Sequence, residues 1–175
     1  MALYLVESSL KELVSTKDEL NQKVSELQSS LGEKNAALIE VQVSKDFSRS
    51  FFIVEGEKQE VATETLEAAG ISVELVKEVR LVGKELDAVK KQNDVVNYLV
   101  EWNIPADITM DQYLARKKKN SVHYDEVPEV SFSRTYVCED MSKCLCFYDA
   151  PDEAAVKRAR EAVQTPIDAI TELAD

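Results

Sequence analysis

With 175 residues and a formal charge of −12 from 21 basic and 33 acidic side chains, the chain carries a field that repels phosphate backbones and anionic lipid, so neither nucleic acid nor membrane is an expected partner. Apolar residues make up 45% of it, with only four Gly and four Pro; that composition excludes a disordered chain and allows one ordinary domain or two small ones. No apolar run approaches the roughly 20 residues of a bilayer span, and no basic stretch precedes the apolar residues of Met1–Ser8, so a cytoplasmic protein is expected.

The chain opens with a short β-rich segment, Leu3 to Glu7. Leu10, Leu13, Val14, Leu20, Val24, Leu27 and Leu31 follow at helical spacing, with Gly32 as the expected stop. Residues 36–43 and 49–55 read as a hairpin around Ser44-Lys45-Asp46-Phe47-Ser48. Val61, Ala62, Thr65, Leu66 and Ala69 share a helical face that Gly70 ends, and residues 71–82 alternate as a final strand. The polar stretch 83–93 reads as a short helical linker. Beyond it come expected strands at 95–102, 131–138, 143–148 and 166–173 and helices at 110–120 and 152–163, with Pro151 at the start of the last helix.

Both halves therefore read βαββαβ. Tyr4-Leu5-Val6-Glu7 recurs as Tyr98-Leu99-Val100-Glu101, and the same offset of 94 residues relates Asp46 to Asp140, Ser48 to Ser142, Phe51–Glu55 to Leu145–Asp149, and Val73 to Ile167. One constant offset through four separate segments reads as a tandem duplication, with repeats at 1–82 and 94–175 joined by 83–93. A βαββαβ unit places both helices on one face of its sheet and leaves the other bare. The expected fold is α+β: two ferredoxin-like units packed sheet to sheet as a pseudo-dimeric α+β barrel.

The stretches Arg134-Thr135-Tyr136-Val137-Cys138 and Lys143 to Val156, with Pro166-Ile167-Asp168-Ala169-Ile170 and Tyr98-Leu99-Val100-Glu101, resemble the bacterial family called domain of unknown function 4242. The match covers most of the second half, and the first half looks like a diverged relative. The resemblance implies single ferredoxin-like domains that pair into dimers, here fused, and one nickel-binding branch. The position that aligns with that family's usual helix histidine is Ala159, and His123 is the only histidine in the chain, so a His-rich nickel site cannot be assembled within one molecule.

Four constellations could carry chemistry. Cys138, Cys144 and Cys146 flank one turn; if residues 138 and 144 oppose each other, all three thiols share a face, and with His123 they could hold zinc or nickel, the alternative being buried, inert thiols. Glu7 and Glu101 end equivalent strands and could act as paired carboxylates, or could simply pair with Lys or Arg. Arg134 and Tyr136 share a face that could hold an anionic or carbonyl ligand, with Tyr98, Trp102 and Tyr148 as aromatic walls. The run Arg116-Lys117-Lys118-Lys119 reads as a solvated helix face. No Gly-rich phosphate loop, Ser-His-Asp set or His-Glu-x-x-His helix is present. The expected function is binding of a small molecule or metal ion between the fused sheets. A cofactor-free barrel enzyme and an assembly protein are the alternatives, and further homo-oligomerisation is open. The second half, which holds every Cys, the His and the Trp, is the expected location of the site.

Overall fold

A computed structural model describes residues 1–91 and 95–174. The chain divides into two compact units, Met1–Val79 with Ala174 and Arg80–Leu173. The division falls inside a strand, a few residues ahead of the boundary expected from sequence. Residues 92 and 93 of the expected linker, and residues 94 and 175 at the edges of the second repeat, lie outside the described residues.

The first unit contains β1 (Ala2–Ser8), α1 (Lys17–Glu33), β2 (Ala37–Val43), β3 (Ser50–Gly56), α2 (Gln59–Ala68) and β4 (Val73–Val82), with strand order β2-β3-β1-β4 and antiparallel pairing. Leu27 and Leu31 of α1 and Ala62 and Leu66 of α2 pack on Tyr4, Val6, Phe52 and Val54, which places both helices on one face. Leu5, Phe51 and Ile53, on the face that sequence reading leaves bare, are buried as well.

Two details of α1 differ from expectation. Leu10 to Val14 form a turn; Leu10 and Val14 are buried in it, which reproduced helical spacing without a helix. The helix starts at Thr16, whose hydroxyl caps the Glu19 amide at 3.2 Å. Gly32 lies within the helix, and the left-handed residue that ends it is Asn35, with φ 58°.

The second unit begins with the short helix α3 (Leu86–Lys90) and continues with β5 (Tyr98–Asn103), α4 (Met110–Asn120), a 3-10 turn (Ser121–Glu126), β6 (Ser131–Cys138), β7 (Lys143–Asp149), α5 (Glu153–Ala162) and β8 (Ala169–Glu172). Its strand order is β6-β7-β5-β8. Pro151 precedes the helix N-cap, Asp152, whose carboxylate accepts from the Ala155 amide at 2.8 Å.

The offset of 94 residues persists in details that no apolar pattern encodes. A bulge between Leu38 and Glu40 in β2 recurs between Phe132 and Arg134 in β6. Phe47 and Met141 both adopt φ 62°. Asp46 Oδ1 accepts from the Ser48 amide at 3.0 Å and hydroxyl at 2.6 Å, and Asp140 accepts from Ser142 at the same two distances.

Candidate functional site

The site lies in the second unit, on the helix side of its sheet. β7 alternates, so Cys144, Cys146 and Tyr148 point toward the helices while Leu145 and Phe147 point away. β6 sets Thr135 opposite Cys146, and the Thr135 hydroxyl donates to Cys146 Sγ at 3.2 Å. α4 is fixed at its start by a capping box between Thr109 and Gln112. Tyr113 packs near Trp102, with ring centroids 6.2 Å apart. Arg116 and Lys117 follow one turn later and lie on the same side as Tyr113, whereas Lys118 and Lys119 are exposed.

These elements enclose a half-open cavity of about 20 Å³, room for one or two water-sized groups. Cys146, Trp102 and Tyr124 line it together with three cations, Arg116, Lys117 and Arg160, and no Asp or Glu among the described residues does so. Arg160 comes from the buried face of α5, beside Val156 and Ala159, and is only 2% exposed. Its Nη1 donates to Tyr148 Oη at 3.0 Å and its Nη2 to the Pro166 carbonyl at 2.6 Å, while its buried Nε has no hydrogen-bond partner among the described residues. Tyr148 and Tyr124 share a hydrogen bond between their hydroxyls at 2.6 Å. Tyr124 stacks on Phe132 at 5.4 Å, and Lys117 Nζ lies 4.2 Å from the Phe132 ring centre.

The electrostatics divide the two thiols. The hydrogen bond from Cys144 holds Cys146 well below the ordinary thiol range, against the cost of burial, and the charges of Lys117 and Arg160 and the Thr135 hydroxyl act in the same direction. Cys144 moves the opposite way, because its proton is engaged by Cys146 and because it is buried. Within the pair the ionised form is thus favoured at Cys146 and the neutral form at Cys144. Burial raises Tyr124 to about 12 and pushes Tyr113 and Tyr148 upward as well, so all three phenols are neutral hydrogen-bonding groups.

Of the residues singled out in the sequence, the structure unites only part. Val137, not Cys138, opposes Cys144, so Cys138 falls on the other side of β6 from Cys144 and Cys146. The assumption that 138 faces 144 was wrong by one position, and a one-residue slip exchanges sheet faces. His123 lies in the 3-10 turn, exposed, with its Nδ1 2.6 Å from Glu126. The four expected metal ligands therefore do not converge, and no group of three or more His, Cys, Asp or Glu side chains with metal-binding geometry occurs among the described residues. With three cations around the cavity and Ala159 in place of the usual histidine, the donor set does not fit a nickel or zinc ion.

Glu101, Arg134 and Tyr136 share the sheet face turned away from the helices, and Tyr98 is on the helix face. Glu101 accepts from Lys143 at 2.9 Å and, in the first unit, Glu7 accepts from Arg49 at 3.0 Å, so each carboxylate has a cation from the neighbouring hairpin of its own unit. Arg134 lies over Phe147, and Tyr136 meets Phe147 edge-on.

Sequence reading assigns no role to Arg160, Tyr124 or Thr135 and takes Lys117 as part of a solvated helix face. The repeat contained the signal for Arg160, because the offset of 94 sets it against Leu66. Tyr113, Arg116, Lys117, Asn120 and Tyr124 form a helical stripe that the reading of residues 116–119 as one solvated run concealed.

Comparison with known proteins places these observations in context. A family model described as nickel responsive protein SCO4226-like matches residues 98–173. No curated protein matches the chain. Among solved structures, a candidate chlorite dismutase, TA0507, is similar over 100% of this chain and 96% of its own, at 16% identity and TM-score 0.58. A candidate monooxygenase from Lactobacillus acidophilus NCFM is similar over 99% of this chain and 94% of its own, at 9% identity and TM-score 0.52. SCO4226 from Streptomyces coelicolor A3(2) aligns with 43% of this chain and 93% of its own, at 20% identity and TM-score 0.38. What the chain has in common with TA0507 and the Lactobacillus protein is an α+β fold of ferredoxin-like units, and its second unit carries the match to the SCO4226-like family.

Proposed function

We propose that this protein binds a small oxyanion, or the anionic head of a small molecule, in the cavity of its second unit. The observation that carries this reading is Arg160, a 2% exposed guanidinium with a buried Nε, lining a cavity that two further cations share; among the described residues no group accepts from that Nε and no carboxylate lines the cavity. In a chain of net charge −12, three cations around the one Cys146 thiol, with no carboxylate among the described residues, leave a local positive excess that attracts negative charge. Trp102 and Tyr124 would flank the rest of such a ligand.

The proposal includes descent of the two units from one duplicated ancestor, supported by the constant offset in bulge, turn and pairing. On that reading the first unit keeps an apolar interior, with Phe52, Val54 and Leu66 at the positions of Cys146, Tyr148 and Arg160, and the second unit alone has acquired the polar pocket.

Trp102 is the only tryptophan in the chain and lines the cavity, so its fluorescence reports on the site directly. Titration with sulfate, phosphate and benzoate should give a saturable change for at least one of them, abolished by R160L, the residue the first unit carries. Absence of a saturable change with all three anions would sink the reading.

A further inference from the structure

The thiol at the floor of the cavity is a second feature of this site, and anion binding does not use it. Cys146 Sγ accepts from the fully buried Thr135 hydroxyl at 3.2 Å, lines the cavity with Arg160, and has Cys144 beside it on the same strand face. A solvent-reachable space for one or two water-sized groups admits hydrogen peroxide whole, whereas a larger anion would seat only its head there. We propose that Cys146 is a peroxide-reactive cysteine, with hydrogen peroxide entering the cavity beside Arg160.

In that reaction the Cys146 thiolate attacks one peroxide oxygen. The S–O bond forms as the O–O bond breaks, so the sulfur is oxidised by two electrons to a sulfenic acid and the peroxide is reduced. The departing hydroxide takes the proton of the neighbouring Cys144 thiol and leaves as water, and Cys144 is reprotonated from solvent. Arg160, which lines the same cavity, supplies positive charge for the departing oxygen, and the Thr135 hydroxyl orients the sulfur. Cys138 serves as an internal control: it is equally buried, but burial raises its thiol above the ordinary range and it does not line this cavity.

This inference rests on the cavity being open to small molecules, but not on anion affinity. The test is brief exposure of the folded protein to hydrogen peroxide, followed by unfolding in the presence of dimedone and peptide mass analysis. Cys146 should be trapped as the sulfenic acid at least about tenfold faster than Cys138, and faster than Cys146 of the urea-unfolded chain. T135V and R160L should each slow Cys146 by about tenfold and leave Cys138 unchanged. Equal trapping at the two cysteines, slower trapping than in the unfolded chain, or no effect of either variant overturns the proposal. A failed Trp102 titration beside rapid Cys146 oxidation would count against the anion reading alone.

Discussion

Arg160 occupies in the second unit the position that Leu66 occupies in the first: Thr165 N donates to the Arg160 carbonyl and Ile71 N to the Leu66 carbonyl, both at 3.0 Å, and neither side chain is more than 2% exposed. The same backbone therefore holds a leucine in one place and a buried cation in the other. R160L should fold and lie within about 2 kcal/mol of the parent, because replacing a buried ion by an apolar residue of similar reach removes desolvation cost as well as attraction. R160A should cost about 3–4 kcal/mol, since it leaves a void that the leucine fills. Urea-denaturation midpoints decide this, and equal losses for the two variants would refute it.

The thiol pair makes stability depend on pH with a definite sign. The groups facing Cys146 are Lys117 from α4, Arg160 from α5, Thr135 from β6, Cys144 from its own strand, and the neutral Tyr113, Tyr124 and Tyr148. A depressed folded-state value means the unfolded chain binds the extra proton, so Cys146 contributes most above the unfolded thiol value of about 8.5 and loses that contribution as pH falls through its folded value. The stability difference between the parent and C146S should therefore grow as pH rises toward that point. The raised Cys144 and tyrosines act in reverse, so parent stability should decline above it. For Tyr124 the decline runs from its unfolded value near 10 to its folded value of about 12. A C146S difference that shrinks with rising pH would refute the assignment of the thiolate.

Glu101 bears on whether the strand-end carboxylates do chemistry. Its side chain is 6% exposed, its Lys143 partner 17%, and the two lie on the neighbouring strands β5 and β7, on the sheet face turned away from the cavity. E101Q should cost about 2–3 kcal/mol by removing the negative charge 2.9 Å from the mostly buried Lys143 ammonium, while the midpoint of an anion titration followed by Trp102 stays where it was. A shifted midpoint would return Glu101 to the site.

The strands, the order βαββαβ and the offset of 94 were legible because they rest on alternation and spacing, which the sequence states directly. The face assignment of the cysteines was not. It depends on which residue of β6 opposes Cys144, and the turn from Cys138 to Lys143, with Met141 at φ 62°, sets that register one position away from the guess. Arg160 was hidden for a related reason: in the pattern of α5 it reads as one more surface arginine, like Arg158, and only its place on the Val156–Ala159 face shows that it is buried. The early helix of the first unit failed because Leu10 and Val14 are buried in a turn, and burial alone reproduces helical spacing.

Two glycines test the backbone account in opposite directions. Gly32 is helical, and a Cβ built there meets nothing within 4 Å. G32A should stabilise the protein by about 0.5–1 kcal/mol, by lowering the entropy of the unfolded chain without straining the folded one. Had Gly32 been the left-handed residue that ends α1, the same change would destabilise. Gly83 is the contrasting case: its φ is +93°, and an added Cβ would lie 3.0 Å from Phe132 Cε2, on the ring that stacks with Tyr124 and underlies Lys117. G83A should cost at least about 1–2 kcal/mol from the backbone alone. It should also perturb Trp102 fluorescence, because displacing Phe132 disturbs the aromatic wall of the cavity. Thermal unfolding of the two variants side by side checks both signs, and a stabilising G83A would show that the Phe132 ring yields without cost.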